Sequence, residues 1–283
     1  MNICRTVEEM RDVVDAWRAQ GLKIGLVPTM GYLHDGHISL VKIARQNADK
    51  VVLSLFVNPT QFGPTEDLDK YPRDFERDRQ ACEENGVDAM FVPTPAVMYS
   101  PDFSTWVREE SLSQVMCGVT RPIHFRGVCT VCLKLFNIAR ADVAVFGRKD
   151  AQQALIIQRM VRDLNVPIQI ITAPLVREKD GLAMSSRNRY LSEEEHARAL
   201  SLSRGIFAAK QAYDAGERNA ATLIKLVEDS VNASNGKIDY VVLMSQESLR
   251  PLETVDRPAL LAAAVYFGTT RLIDNVFLGT IFP

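Results

Sequence analysis

The chain has no apolar run near the roughly 18 residues that a membrane-crossing helix needs, so no membrane partner is expected. It has no basic excess either: 33 Lys and Arg stand against 35 Asp and Glu, a formal net charge of -2. Dedicated nucleic-acid binders normally carry such an excess, so no nucleic-acid partner is expected. The N-terminal residues include Glu8 and Glu9 and no apolar segment, which argues against a signal peptide. Three familiar motifs are missing. No G-x-G-x-x-G follows a strand, no G-x-x-x-x-G-K-[ST] occurs, and no G-x-S-x-G is present. These absences argue against dinucleotide binding, a P-loop and a hydrolase nucleophile elbow. Five scattered cysteines make no disulfide framework and fit a reducing cytoplasm. Cys129 and Cys132 have C-x-x-C spacing but lie in an apolar stretch, so they are read as small buried residues on one helix face.

What remains is ordinary and globular, with 47% hydrophobic and 24% charged residues. A length of 283 residues accommodates two domains. Thr6 and Glu9 form a capping-box pattern that opens a helix reaching to residue 20, where Gly21 stops it. Residues 23–28 read as a strand, 37–47 as a helix and 51–57 as a strand buried on both faces. The βαβ pattern recurs, with helices at 74–85, 127–138 and 151–164 and strands at 89–93, 143–146 and 168–172. Such alternation predicts an α/β fold with a doubly wound parallel sheet. After residue 175 the pattern changes. Ser192 and Glu195 open a long helix, a second helix covers 220–232, and three strands follow at 238–244, 260–267 and 271–277. The expected domains are therefore 1–175 and a smaller α+β domain at 176–283.

Two of the chain's four histidines fall in His34-Asp-Gly-His37, at a strand-to-helix turn. Open parallel sheets bind ligands at the carboxyl ends of their strands. A helix N-terminus there attracts anions, and two imidazoles can donate to phosphoryl oxygens. Gly36 lets a nucleotide approach closely. The bland alternative is a capping turn with surface histidines. Ser185, Ser186 and Arg187 offer two hydroxyls and a guanidinium suited to a polyphosphate. Gly147, Lys149 and Asp150 follow a strand end and suit nucleotide contact, and Gln152 and Gln153 open the next helix, where they can fix a polar substrate. Asn58 and Gln61 are uncharged donor–acceptors after the second strand, fit for a hydroxylated acid or amide. His124 is a candidate substrate contact, and Asp78 a candidate carboxylate for a magnesium–phosphate complex. His196, among Glu193–Glu195, is read as part of a solvated helix face.

In this order the motifs resemble the pantothenate synthetase (pantoate–β-alanine ligase) family along nearly the whole chain. The pieces are Pro28-Thr-Met-Gly-Tyr-Leu-His-Asp-Gly-His37, Phe56-Val-Asn-Pro-Thr-Gln-Phe62, His124-Phe-Arg-Gly-Val128, Phe146-Gly-Arg-Lys-Asp-Ala-Gln-Gln153 and Val176-Arg-Glu-Lys-Asp-Gly-Leu-Ala-Met-Ser-Ser-Arg-Asn188. The resemblance implies an AMP-forming ligase of pantothenate biosynthesis. It would condense pantoate with β-alanine through a pantoyl adenylate, using ATP and magnesium and releasing AMP and pyrophosphate. It implies a Rossmann-like first domain, a second domain that acts as a lid, a homodimer and a cytoplasmic location. The family's ATP contacts carry over to Met30, Gly31, Tyr32, Leu33, His34, Asp35, Gly36, His37, Gly147, Arg148, Lys149, Asp150, Val176, Met184, Ser185, Ser186 and Arg187. His37 would be the proton donor, with His34, Lys149, Ser185, Ser186 and Arg187 also catalytic. Gln61 and Gln153 would hold pantoate, with Asn58 and His124 beside them. Arg148 stands where the family usually has an acid, and Ala151 where it usually has an aromatic. The competing readings are a nucleotidylyltransferase of the same superfamily, which keeps the nucleotidyl group in its product, and a non-catalytic nucleotide-binding module.

Overall fold

The computed structural model describes residues 1–64 and 66–279. It divides into two compact units. The first contains Met1–Arg148 and Gln152–Ala173, and the second contains Lys149–Ala151 and the chain from Pro174 onward.

The first unit runs β1 (Asn2–Cys4), α1 (Val7–Arg18), β2 (Ile24–Thr29), α2 (Asp35–Asn47), β3 (Lys50–Leu55), α3 (Phe75–Glu84) and β4 (Ala89–Phe91). One-turn helices α4 (Pro95–Met98) and α5 (Cys117–Thr120) precede α6 (His124–Ala139), β5 (Val143–Gly147), α7 (Ala151–Asp163) and β6 (Gln169–Ala173). The strands form one sheet in the order β1-β4-β3-β2-β5-β6, and every pairing is parallel. This is the expected α/β Rossmann-like architecture. Strands β2, β3 and β5 are buried on both faces, which is why their sequences are continuous apolar runs rather than alternating ones. Val27, Leu33, Val41, Ala44, Leu53, Met90 and Val145 pack into one core against α2. β1 lacks a counterpart among the expected elements. It is three residues long, too short to show a period, and is held at the sheet edge by pairing Asn2 through Cys4 with Ala89 through Phe91.

The order matters for function. From β2 the chain crosses through α2 to β3 on one side, while β5 joins β2 on the other. That reversal leaves a crevice at the carboxyl ends of β2 and β5. Helix α6 carries the C-x-x-C pair. Burial pushes the Cys129 thiol up to about 12 and raises that of Cys132 as well, so both are inert packing residues.

The second unit holds α8 (Glu193–Asp214), α9 (Ala220–Asn232) and an antiparallel sheet β7 (Lys237–Ser245), β8 (Ala259–Phe267) and β9 (Thr270–Leu278). The capping box at the start of α8 is present. Ser192 Oγ accepts from Glu195 N at 3.2 Å, and Glu195 Oε2 accepts from Ser192 N at 2.9 Å. Gly205 lets α8 and α9 touch: a Cβ there would lie 2.9 Å from Val227 Cα. Leu202, Ile206, Leu223, Val227, Leu261 and Phe267 form the core between this helix pair and the sheet. No helix among the described residues is long and apolar enough to cross a membrane.

Candidate active site

The loop after β2 turns sharply because two consecutive residues have left-handed backbone, Gly31 at φ 88° and Tyr32 at φ 51°. Asp78, on the first turn of α3, holds that turn. Its Oδ2 accepts from Tyr32 N and its Oδ1 from Leu33 N, both at 2.7 Å. The carboxylate is 1% exposed, and burial pushes its pKa above the ordinary 3.8 while the Leu33 and Tyr32 amides pull it down. Asp78 was expected at a magnesium–phosphate complex. Both of its oxygens accept from backbone amides, so it organises the loop. Arg77 completes the clasp by donating to Leu33 O at 3.1 Å and lying 4.5 Å from the centre of the Tyr32 ring.

His34 is the N-cap of α2, and the two histidines form a capping box of their own. His34 Nδ1 accepts from Gly36 N at 3.1 Å, and His37 Nδ1 accepts from His34 N at 3.3 Å. The rings lie 4.0 Å apart, centre to centre. The capping and phosphate readings are therefore compatible. Because each Nδ1 accepts, each neutral ring carries its proton on Nε2. Two Nε2–H donors at the positive end of a 13-residue helix form an arrangement that suits an anion.

The segment after β3 supplies the second cluster. Gln61 is 8% exposed; its Oε1 accepts from Asn58 Nδ2 at 3.0 Å, and its Nε2 lies 3.3 Å from Met30 Sδ. A primary amide has two N–H groups, and the weak thioether contact occupies one of them. Asn58 has both ends of its amide engaged inside the protein. Its Oδ1 accepts from Tyr99 OH at 2.8 Å and Thr60 Oγ1 at 3.0 Å, and its Nδ2 also donates to Gly127 O at 3.2 Å. His124 is buried with Nδ1 3.0 Å from the Gln61 carbonyl, to which it donates. Arg121 donates to the same carbonyl at 3.3 Å and pairs with Glu66 through two contacts, at 2.6 and 2.9 Å. Burial pushes the Glu66 carboxyl up, but Arg121 outweighs it and holds the group below its ordinary 4.5. Asn58 and His124, expected to touch substrate, both hydrogen-bond to Gln61. Sequence alone cannot separate these roles, because a polar residue at a strand end reads the same either way. Gln152 is structural, accepting from Cys117 N at 3.0 Å and donating to the carbonyls of Leu112 and Val115 at 2.8 and 2.7 Å. Gln153, next to it on α7, is half-buried.

Gly127 permits this packing. A Cβ there would lie 2.5 Å from Thr60 O and 2.7 Å from Gln61 N, both backbone atoms. Gly127→Ala is expected to cost about 1–3 kcal/mol, as overpacking does. It should raise the KM for the acid expected at Gln61 more than that for the expected nucleotide. Thermal unfolding and steady-state kinetics check this, and an unchanged acid KM would contradict it.

At the end of β5, Gly147 and Arg148 leave the sheet beside the β2 loop, since β5 pairs with β2. Arg148 Nε lies 3.4 Å from Thr172 Oγ1 on β6, and partial burial lowers its pKa. Ala151 is buried. In the second unit, Lys149 Nζ sits 3.5 Å from Asp150 Oδ1. Met184 N donates to Val176 O at 3.0 Å, closing a narrow loop that also joins Arg177 to Ala183 as an antiparallel bridge. Ser185 Oγ accepts from Arg187 N at 3.3 Å and caps the turn Ser186–Tyr190. His196 is not merely solvated. Its Nε2 lies 2.7 Å from Asp180 Oδ2, a contact that holds the Asp180 carboxyl below its ordinary range. The sequence reading missed the Asp78 clasp, the Arg121–Glu66 pair and an ion pair of Arg177 with Asp274, because each joins residues distant in the chain.

A family model described as pantoate-beta-alanine ligase matches residues 2–277. Pantothenate synthetase of Moorella thermoacetica is 54% identical over 279 residues, covering 98% of this chain and 99% of its own. That of Thermotoga petrophila is 52% identical over 280 residues, covering 99% of this chain and 100% of its own. Among solved structures, pantothenate synthetase of Thermus thermophilus superposes with a TM-score of 0.92 at 42% identity, covering 98% of this chain and 99% of that one. The pantoate-beta-alanine ligase of Francisella tularensis, complexed with beta-gamma ATP and beta-alanine, gives 0.82 at 31% identity, covering 98% of this chain and 97% of that one.

Proposed function

Because the chain belongs to the pantoate–β-alanine ligase family, we propose that its residues condense pantoate with β-alanine in two steps on the carboxyl ends of β2, β3 and β5. In the first, a pantoate carboxylate oxygen attacks the α-phosphorus of ATP; the bond to the β-phosphate oxygen breaks, giving pantoyl adenylate and pyrophosphate. In the second, the β-alanine amine attacks the acyl carbon, loses a proton, and AMP departs with the oxygen that joined it to the acyl group. An ionised carboxylate needs no base, so the first step depends on alignment and on stabilising charge.

The observation that carries this reading is the histidine capping box. It fixes two Nε2–H donors at the N-terminus of α2, where the departing phosphates would lie. His37 is assigned as the donor to the leaving phosphate oxygen and His34 as its neighbour. The remaining ATP contacts are assigned to Met30–Leu33, Asp35, Gly36, Gly147–Asp150, Val176 and Met184–Arg187. Lys149, Ser185, Ser186 and Arg187 would meet the phosphates when the second unit acts as a lid. Gln61 and Gln153 are assigned to pantoate.

Magnesium is read as part of the substrate, entering on the ATP phosphates. Five buried free cysteines support a cytoplasmic location. The homodimer remains part of the proposal. The test is a coupled assay for AMP. Release should require ATP, pantoate and β-alanine together. AMP released in full without β-alanine would contradict the ligase reading, and a nucleotidyl group retained in the product would favour a nucleotidylyltransferase.

A further inference from the structure

We infer that Asp274 and Asn275, neighbours on β9, are positioning residues for adenylation, each holding a different ATP-contact segment of the second unit in place. The inference rests on the assignment of those segments to ATP made above.

Adjacent residues of a strand face opposite sides of the sheet. Leu272 and Leu278 place the Asp274 side on the face that packs against the helices, and Asn275 lies on the other. Asp274 is 1% exposed, in the middle of β9 and opposite Ala263 of β8. It takes both ends of the Arg177 guanidinium, Oδ2 to Nη1 at 2.6 Å and Oδ1 to Nη2 at 2.9 Å. Arg177 Nη1 also donates to Gly181 O at 3.1 Å. Arg177 therefore pins both limbs of the loop whose closing bonds are Glu178 N to Leu182 O at 2.8 Å and Met184 N to Val176 O at 3.0 Å. The turn with Ser185, Ser186 and Arg187 hangs directly from that loop, and Asn188 Nδ2 ties it back to Ala183 O at 3.0 Å. On the opposite face, Asn275 Nδ2 donates to Lys149 O at 2.9 Å. One dipeptide thus fixes the backbone at Lys149 and the base of the Ser185–Arg187 turn.

Stability alone does not account for the choice of residues. A buried ion pair is commonly no more stabilising than apolar residues of the same volume. What a two-point guanidinium–carboxylate contact adds is orientation. Neither residue is assigned contact with substrate, so each acts through the segment it holds.

The test compares Asp274→Asn and Asn275→Ala with the wild type in two assays on the same samples. One is pantoate-dependent ATP–pyrophosphate exchange, which reads adenylation. The other is amide formation from preformed pantoyl adenylate and β-alanine. Their ratio does not depend on the fraction of folded protein. The ratio should fall about tenfold in each variant, the equivalent of one lost hydrogen bond. Asn275→Ala changes no charge and keeps the test decisive if Asp274→Asn folds poorly. An unchanged ratio in both variants overturns the inference, whatever the absolute rates. Lys149→Ala and Arg187→Ala accompany them. If these two leave exchange intact, the ATP assignment itself has failed. If they abolish it while the β9 variants keep the wild-type ratio, only the positioning role has failed.

Discussion

Replacing His37 with alanine is expected to slow adenylation by about 10²–10³-fold, the usual loss for one donor aimed at developing charge. The residue has two jobs, and magnitude separates them. Its Nδ1 accepts from His34 N at 3.3 Å and so helps cap α2. Losing a cap costs about 0.5–2 kcal/mol of stability. Against a total of about 5–15 kcal/mol, that leaves nearly all molecules folded. A fall of two orders of magnitude must therefore come from the Nε2–H. His37→Asn sharpens the point, since its side-chain oxygen can keep the capping contact while the Nε2–H is lost. Supplying preformed pantoyl adenylate should restore amide formation in both variants. Equal losses in the two half-reactions would remove His37 from the phosphate site.

Gln61→Ala is expected to raise the KM for pantoate by roughly 5–150-fold, the equivalent of about 1–3 kcal/mol for a buried partner left unpaired. The variant is informative because the backbone at residue 61 is held independently of the side chain. His124 Nδ1 and Arg121 both donate to the Gln61 carbonyl, at 3.0 and 3.3 Å. Truncation removes the amide and leaves that frame standing. Asn58 Nδ2 loses one acceptor but keeps Gly127 O at 3.2 Å. ATP binding measured alone by calorimetry should stay within about twofold of wild type, well under 1 kcal/mol. Equal weakening of ATP binding would move Gln61 out of the acid pocket.

The parts of this molecule that were legible in the sequence are those specified locally. The capping boxes at Thr6 and Ser192 need only residues three apart, and both formed. Helix α9 occupies Ala220–Asn232, the span expected for it. Buried parallel strands announce themselves by continuous apolar composition, as β3 does. The histidine pair was legible because a strand-to-helix turn in a parallel sheet already has a geometric meaning. What stayed hidden depends on contacts across the chain. Asp78 reads as a spare carboxylate until the Leu33 amide, 45 residues away, is placed on it. Asp274 reads as a polar residue in a strand until Arg177, 97 residues away, is seen against it. The contacts of Asn58 with Gly127 and of His124 with Gln61 stayed hidden for the same reason. The chemistry of these residues was plain, but the direction they face is a property of packing. Arg148 shows the limit from the other side: it departs from the pattern expected of the family, and its contact with Thr172 accounts for its placement without explaining why a cation is there.

The central claim is that the pantoate carboxyl is activated as an adenylate, and an isotope reads it directly. Pantoate labelled with ¹⁸O in both carboxyl oxygens is converted with ATP and β-alanine, and the AMP is examined by ³¹P NMR. If a carboxylate oxygen attacks the α-phosphorus and then leaves with AMP, the AMP carries one ¹⁸O and the amide carbonyl of the product retains the other. Unlabelled AMP, or label appearing in inorganic phosphate with ADP as the nucleotide product, would contradict the account.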